Sequence, residues 1–327
     1  MRIASILAMT AFAVSPFLFQ GLLFEGLLSA QGSKNPIVWA PKPTTLPKYV
    51  APMRPQTKLS DALAKHKGVQ DWSQVVVDDD HLHGEYISMG AGKKTEPRMH
   101  ADTREWWVVM DGQIRFNIDG QEPFVASKGW LVQVPYRTVY SMETVGDKPS
   151  LRFEVNIAHA KYLYPQAEQP PKTPGYNWLL VRLAQPRGVY DRGNKPYIDF
   201  NKVAEQFEQR PKKDGQVRFI NDDRAVSNVI YGYAKDLPPL NPADKGHYHA
   251  ECAEFWVILR GEIQYKIEGQ PEFVANEGDI VYAPKMTWHR PRFYGDGASC
   301  RLAMNGYPEI GHLFDAEPDT ATQTTHR

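Results

Sequence analysis

Alternation of apolar and polar positions dominates the middle of the chain. IRFNI (residues 114–118) and IQYKI (263–267) carry an apolar side chain at every second position. WLVQV (130–134) and DIVYA (279–283) are short runs rich in β-branched and aromatic residues. A period of two puts alternate side chains on one face of an extended backbone, so these segments predict strands. Asp-Gly and Glu-Gly pairs between them mark turns. Many short strands at close spacing predict a sandwich or a barrel, with little helix. Two stretches have helical character. SDALAKHKG (60–68) opens on a serine in the capping role and ends at a glycine, and NKVAEQFEQR (201–210) sets Val203 and Phe207 on one face.

The pattern occurs twice. DGQIRFNIDGQEPFVASKGWLVQVP (111–135) and RGEIQYKIEGQPEFVANEGDIVYAP (260–284) share eleven of twenty-five positions without a gap, at an offset of 149. The same offset carries His100 to His249, Glu105 to Glu254 and Trp107 to Trp256. Solenoid repeats run about 20–50 residues, so a period this long is the duplication of a whole domain. The expected organisation is a first domain over 50–163, a Pro-rich linker and junction segment over 164–215, and a second domain over 216–327.

Composition changes this picture in three places. First, Met1-Arg2 leads into IASILAMTAFAVSPFLF and GLLFEGLLSAQG, the order of an export signal. Cleavage is expected after Ala30, although Leu28 fits poorly at the −3 position; the alternative is an uncleaved anchor, since the run nearly reaches the ~20 residues that span a bilayer. No cysteine follows for lipid attachment and no twin arginine precedes. The mature protein is thus expected in the periplasm or secreted, with no stable membrane association. Second, 38 basic and 38 acidic side chains balance, which gives no electrostatic footprint for nucleic acid. Third, Cys252 and Cys300 are the only cysteines. An oxidising compartment permits their pairing, and two separate core thiols are the alternative.

The chemistry concentrates in GHYHAECAEFWVILRG (246–261) and GDIVYAPKMTWHRPRF (278–293). On a strand, His247 and His249 point the same way. Glu254, an odd step past His249, joins them only if AECA bends or bulges. His289 follows a glycine-headed strand and a proline turn. Three imidazoles and one carboxylate suit a first-row divalent ion and leave coordination positions for water, dioxygen or substrate. The same histidines filling a polar barrel interior is the structural alternative.

These two stretches resemble the motifs of the cupin family: a glycine-led His-x-His with Glu and Gly beyond, then Gly278, Pro284 and His289. Met286 stands where the family often has glycine. The resemblance implies two tandem jelly-roll (double-stranded β-helix) barrels, a bicupin, with the metal inside the second. It leaves the reaction open, because cupins include dioxygenases, decarboxylases, isomerases and binding proteins. In the first copy Arg98 replaces His247 and Tyr140 replaces His289, leaving His100 and Glu105. A guanidinium repels a dication and can pair with Glu105 instead. The first copy is therefore expected to lack metal and to act as scaffold or as a subunit contact in a homodimer, or to keep a pocket in which Arg98, His100 and Tyr140 hold an anion. The nearby HLH (81–83) reads as an exposed strand face.

One metal ion per chain follows: copper or zinc by affinity order, iron or manganese by family habit. Trp256 and Phe293 share strand parity with Glu254 and His289 and are the candidate substrate-binding walls, with plain core as the alternative. The leading expectation is dioxygenase-type oxidation of a small enolic, phenolic or carboxylate compound. Decarboxylation or isomerisation of an organic acid or sugar derivative comes second, and a non-catalytic periplasmic metal- or ligand-binding protein third.

Overall fold

The alternating stretches form strands close to their expected bounds: Gln113–Ile118, Trp130–Val134, Glu262–Ile267 and Ile280–Ala283. The computed structural model describes residues 37–165 and 170–316; the leader assigned to residues 1–30 lies outside them. Among the described residues no helix is long and apolar enough to cross a membrane.

Each copy is a jelly-roll barrel of antiparallel strands. In the first, a six-stranded sheet runs in the order Tyr197–Asp199, Trp130–Val134, Glu105–Asp111, Ser150–Ile157, Leu82–Met89, Trp72–Asp78. It packs on a three-stranded sheet of Phe124–Ser127, Gln113–Ile118 and Tyr140–Val145. The second copy repeats this with a six-stranded sheet, Gln56–Thr57, Ile280–Ala283, Glu254–Arg260, Ala298–Asn305, Ala225–Tyr233, Gly215–Asp222. Its opposing sheet is Phe273–Asn276, Glu262–Ile267, His289–Tyr294, His247–Tyr248, Leu313–Phe314.

The strands EWWVVMD and EFWVILR do not alternate, because both of their faces are buried. Trp107 and Val109 point into the first barrel, and Trp256 and Ile258 into the second. The alternate residues Trp106, Val108, Phe255 and Val257 belong to a third core between the two six-stranded sheets. Polar pairs cross this junction: the Tyr86 hydroxyl donates to Gly278 O at 2.8 Å, and Gln133 Nε2 donates to Phe219 O at 2.9 Å. The described residues from Pro41 onward accordingly form one unit.

The copies also exchange edges. Gln56–Thr57, in the segment assigned by sequence to the first domain, pairs with Ile280–Ala283 of the second. Tyr197–Asp199, in the expected linker, pairs with Trp130–Val134 of the first. A short helix follows each exchanged strand: Leu59–Lys65 and Phe200–Glu208. The second buries Phe207 as its periodicity requires, and Asp199 caps it by accepting from Asn201 N. The first departs from expectation. Ser60 lies inside the helix and makes no cap; Asp279 of the second barrel accepts from Leu59 N instead, at 3.0 Å. Sequence windows see only local caps, and this one comes from 220 residues away. Cys252 and Cys300 are both buried and unpaired, which favours separate core thiols over a disulfide.

Candidate metal centre

The bend between the two halves of the first motif decides the geometry. His247–Tyr248 belongs to the five-stranded sheet and Glu254–Arg260 to the six-stranded one. The chain bends at residues 250–252 to pass between them. The expected bend at AECA is therefore present, and it resolves the parity conflict: His249, just past the strand His247–Tyr248, faces Glu254 on the other sheet. His289 enters from the strand paired with His247, the two residues being direct register partners.

Glycine permits that pairing. Gly246 has φ +77°, and a Cβ there would lie 2.0 Å from His289 O. Gly246→Ala is expected to destabilise the protein by at least ~2 kcal/mol and to weaken metal retention, read by thermal melting and metal content; an unchanged melt would refute the tight register. Met286, in place of the family's glycine, adopts φ +61°, a left-handed conformation that a glycine holds without strain. Its N–H donates to His249 O at 2.7 Å, and the turn at Arg137 (φ +55°) does the same to His100 O at 2.6 Å.

The four donors converge. One ligand atom from each of His247, His249, Glu254 and His289 falls within 4.8 Å of the others. His249 Nε2 lies 2.9 Å and His289 Nε2 3.1 Å from Glu254 Oε2, with His247 Nε2 at 3.7 Å. Carbonyl oxygens hold the far nitrogens: Gly311 O meets His249 Nδ1 at 3.0 Å and Thr287 O meets His289 Nδ1 at 2.9 Å. A carbonyl accepts only, so each Nδ1 carries the proton and each Nε2 presents its lone pair to the centre. Burial drives the His247 imidazole down to about 3, keeping it neutral. Burial alone would raise Glu254, but the surrounding imidazoles outweigh it and hold the carboxyl well below the usual range. Three imidazoles presented through Nε2 and one carboxylate are the donor set a first-row divalent ion takes.

Trp256 and Phe293 both face this barrel's interior. The Trp256 ring is 5.3 Å from that of His289, and the Phe293 ring lies beneath the Arg301 guanidinium at 5.4 Å. Sequence reasoning missed the tail at residues 311–314. His312 is exposed and its ring lies 4.7 Å from those of both His247 and His249, with Phe314 5.4 Å from His247. Tail strand Leu313–Phe314 pairs with His247–Tyr248. Two residues of strand carry no readable period, so the tail left no signal.

The first copy builds a different cluster from the equivalent positions. His100 Nε2 is 3.3 Å from Glu105 Oε2, and the Tyr140 hydroxyl donates to the same oxygen. Arg98 does not pair with Glu105 as expected. Its Nε donates to Tyr140 Oη at 3.0 Å, its Nη2 is 3.6 Å from Glu154, and it lies over the Tyr162 ring at 4.1 Å. Glu154 was invisible to a comparison limited to the motif positions. Beside the cluster opens a cavity of about 270 Å³ lined by Asp78, His83, Glu85, His100, Glu105 and Glu154, among others. Four carboxylates work against an anion there. The HLH stretch is also not a plain exposed face: Glu85 at 3.8 Å and Asp78 at 3.1 Å push His83 up to about 9.

A jelly-roll barrel with three imidazoles and a carboxylate at its mouth defines a cupin. The family model for the cupin domain matches the chain twice, over residues 85–157 and 236–304, and the chain belongs to the cupin superfamily as a bicupin. Quercetin 2,3-dioxygenase of Bacillus subtilis (strain 168) is 24% identical, over 71% of this chain and 79% of that one. Among solved structures, salicylate 1,2-dioxygenase of Pseudoaminobacter salicylatoxidans, as adducts with gentisate, aligns with a TM-score of 0.56 at 9% identity, covering 80% of this chain and 85% of that one. Lactobacillus farciminis oxalate decarboxylase, as a formate complex, aligns at 0.50 and 14%, covering 84% and 91%. The structural likenesses establish the barrel architecture and nothing finer.

Proposed function

We propose that the chain is an exported, metal-dependent oxidoreductase of the dioxygenase type, acting on a small oxygen-bearing compound with enolic, phenolic or carboxylate character. The observation that carries this reading is the convergence of His247, His249, Glu254 and His289 with every described Nδ1 hydrogen bond turned away from the centre. Similarity to a quercetin dioxygenase over most of both chains supports it. A first-row ion held by these four would supply a redox-capable Lewis acid. The protein's part is to keep the imidazoles aimed, to offset one positive charge through Glu254, and to wall the centre with Trp256 on the barrel side and His312 and Phe314 at the mouth.

Oxygen uptake by the metal-loaded protein, screened over enolic, phenolic and carboxylate compounds, tests the reading. Uptake coupled to substrate loss is expected; carbon dioxide release without uptake would replace it with the decarboxylase alternative. Elemental analysis should give one metal per chain, since only the second copy presents the full donor set among the described residues. A second equivalent that survives His249→Ala would refute this. Export predicts an intact mass beginning near Gln31 in material recovered outside the cytoplasm, and a membrane-bound protein retaining the apolar run would overturn it.

A further inference from the structure

Two strands of equal register, one in each copy, treat a buried carboxylate differently. In the first copy Glu154 faces the barrel interior opposite Trp107. Its Oε2 accepts from Trp107 Nε1 at 2.7 Å and from Arg152 Nε at 3.1 Å, and its Oε1 accepts from the Tyr162 hydroxyl at 2.8 Å. Moving by 149 residues turns Trp107 into Trp256 and Arg152 into Arg301, both retained, but turns Glu154 into Ala303. The backbone register is the same, with Ala303 opposite Trp256 and Arg301 opposite Ile258. The donors remain and their acceptor is gone.

The consequences are visible atom by atom. Arg301 is only 5% exposed, its Nε is buried without a partner, and no carboxylate meets its guanidinium among the described residues. Tyr265, which adds a hydroxyl where the first copy has Phe116, is fully buried with that hydroxyl unpartnered. Asn305, the register partner of Glu254, has a buried Nδ2 without a partner, whereas its counterpart Asn156 reaches His100 Nε2 at 2.8 Å. An isolated guanidinium in an apolar interior is among the most unfavourable arrangements a fold can hold. Here it shares the barrel with other unused donors directly below the metal donors. Burial lowers the Arg301 pKa, and the nearby Tyr265 and Glu254 offset this only in part.

We propose that the second barrel binds an anionic small molecule by its carboxylate, which takes beside Ala303 the place that the Glu154 carboxylate fills in the first copy, held by Arg301, Trp256 Nε1 and the Tyr265 hydroxyl. The first copy thus carries its anion covalently, and the second receives one. That this anion is the compound acted on rests on the oxidoreductase reading; that it binds does not. A glutamate side chain beyond Cβ has the composition of acetate, so acetate is the minimal probe and benzoate a larger one.

Calorimetric titration of the metal-loaded protein with acetate and benzoate, against acetamide and benzamide as neutral isosteres, tests the proposal. At least one carboxylate is expected to bind at least ~10-fold more tightly than its amide, the usual effect of losing a charged hydrogen-bond partner. Ala303→Glu is expected to abolish carboxylate binding while leaving metal content and circular dichroism unchanged, because the introduced side chain supplies the anion itself. Arg301→Met should weaken the carboxylate at least ~10-fold with metal content retained, and it keeps the test open should Ala303→Glu fail to fold. The metal-free protein should still bind the carboxylate. Carboxylate and amide binding alike, or carboxylate affinity unchanged in Arg301→Met and lost with the metal, would overturn the proposal. Carboxylate binding that responds to both variants, without oxygen uptake on any compound, would leave the anion site standing and remove the oxidoreductase reading.

Discussion

Alanine at His289 should empty the metal site of an otherwise intact barrel. His289 contributes one of three inward-facing Nε2 atoms, and its ring is buried, fixed by Thr287 O and packed against Trp256. Among the described residues the spare imidazole of His312 packs on His247 and His249 and is not one of the converging donors. Loss of a group that merely orients a ligand costs 10- to 100-fold in metal affinity. Loss of the ligand itself is therefore expected to weaken binding by at least ~100-fold, so that metal content after dialysis falls from one per chain towards zero. Circular dichroism should be unchanged, because the interior below the site is held by Ile258, Ile263, Ile267 and Val281. Full metal content in His289→Ala would show that the centre lies elsewhere.

Glu254→Gln separates charge from shape. Glu254 is the only anion in the cluster, and all three imidazoles approach the same Oε2. Glutamine keeps an oxygen donor of similar reach but no longer offsets the ion's charge. The amide also meets imidazole lone pairs with its own N–H groups, so one rotamer binds a histidine that the ion needs. Metal affinity is expected to fall about 10- to 100-fold and turnover, measured at saturating metal, at least as much. Retention of full activity would show that the carboxylate's charge is dispensable and that the bend at residues 250–252 serves the fold alone.

Much of the site was legible because its ligands are tied to repeated, locally patterned elements. The offset of 149 linked the copies, and the Gly–His-x-His–Glu and Gly–Pro–His spacings named all four converging donors. What escaped was set by contacts distant in the chain. The cap on Leu59–Lys65 comes from Asp279, and Gln56–Thr57, in the stretch assigned to the first domain, pairs with the second. His312 joins the site through a two-residue strand. Arg98 chose Glu154 over Glu105 because the six-stranded sheet places Glu154 beside Trp107 and Arg152, inside the barrel.

The Arg301–Ala303 pair shows where the boundary falls. Its residues are printed in the sequence, and the offset alone aligns them with Arg152 and Glu154. Alternation determined that Arg301, Ala303 and Asn305 share one face of their strand. Which face that was, the apolar run could not say, since Cys300, Leu302 and Met304 are equally buried in the junction core. On a strand covered on both sides, hydrophobicity no longer distinguishes inside from outside. Only the packing of one barrel against the other decided that the guanidinium points inward, into the barrel that holds the metal donors.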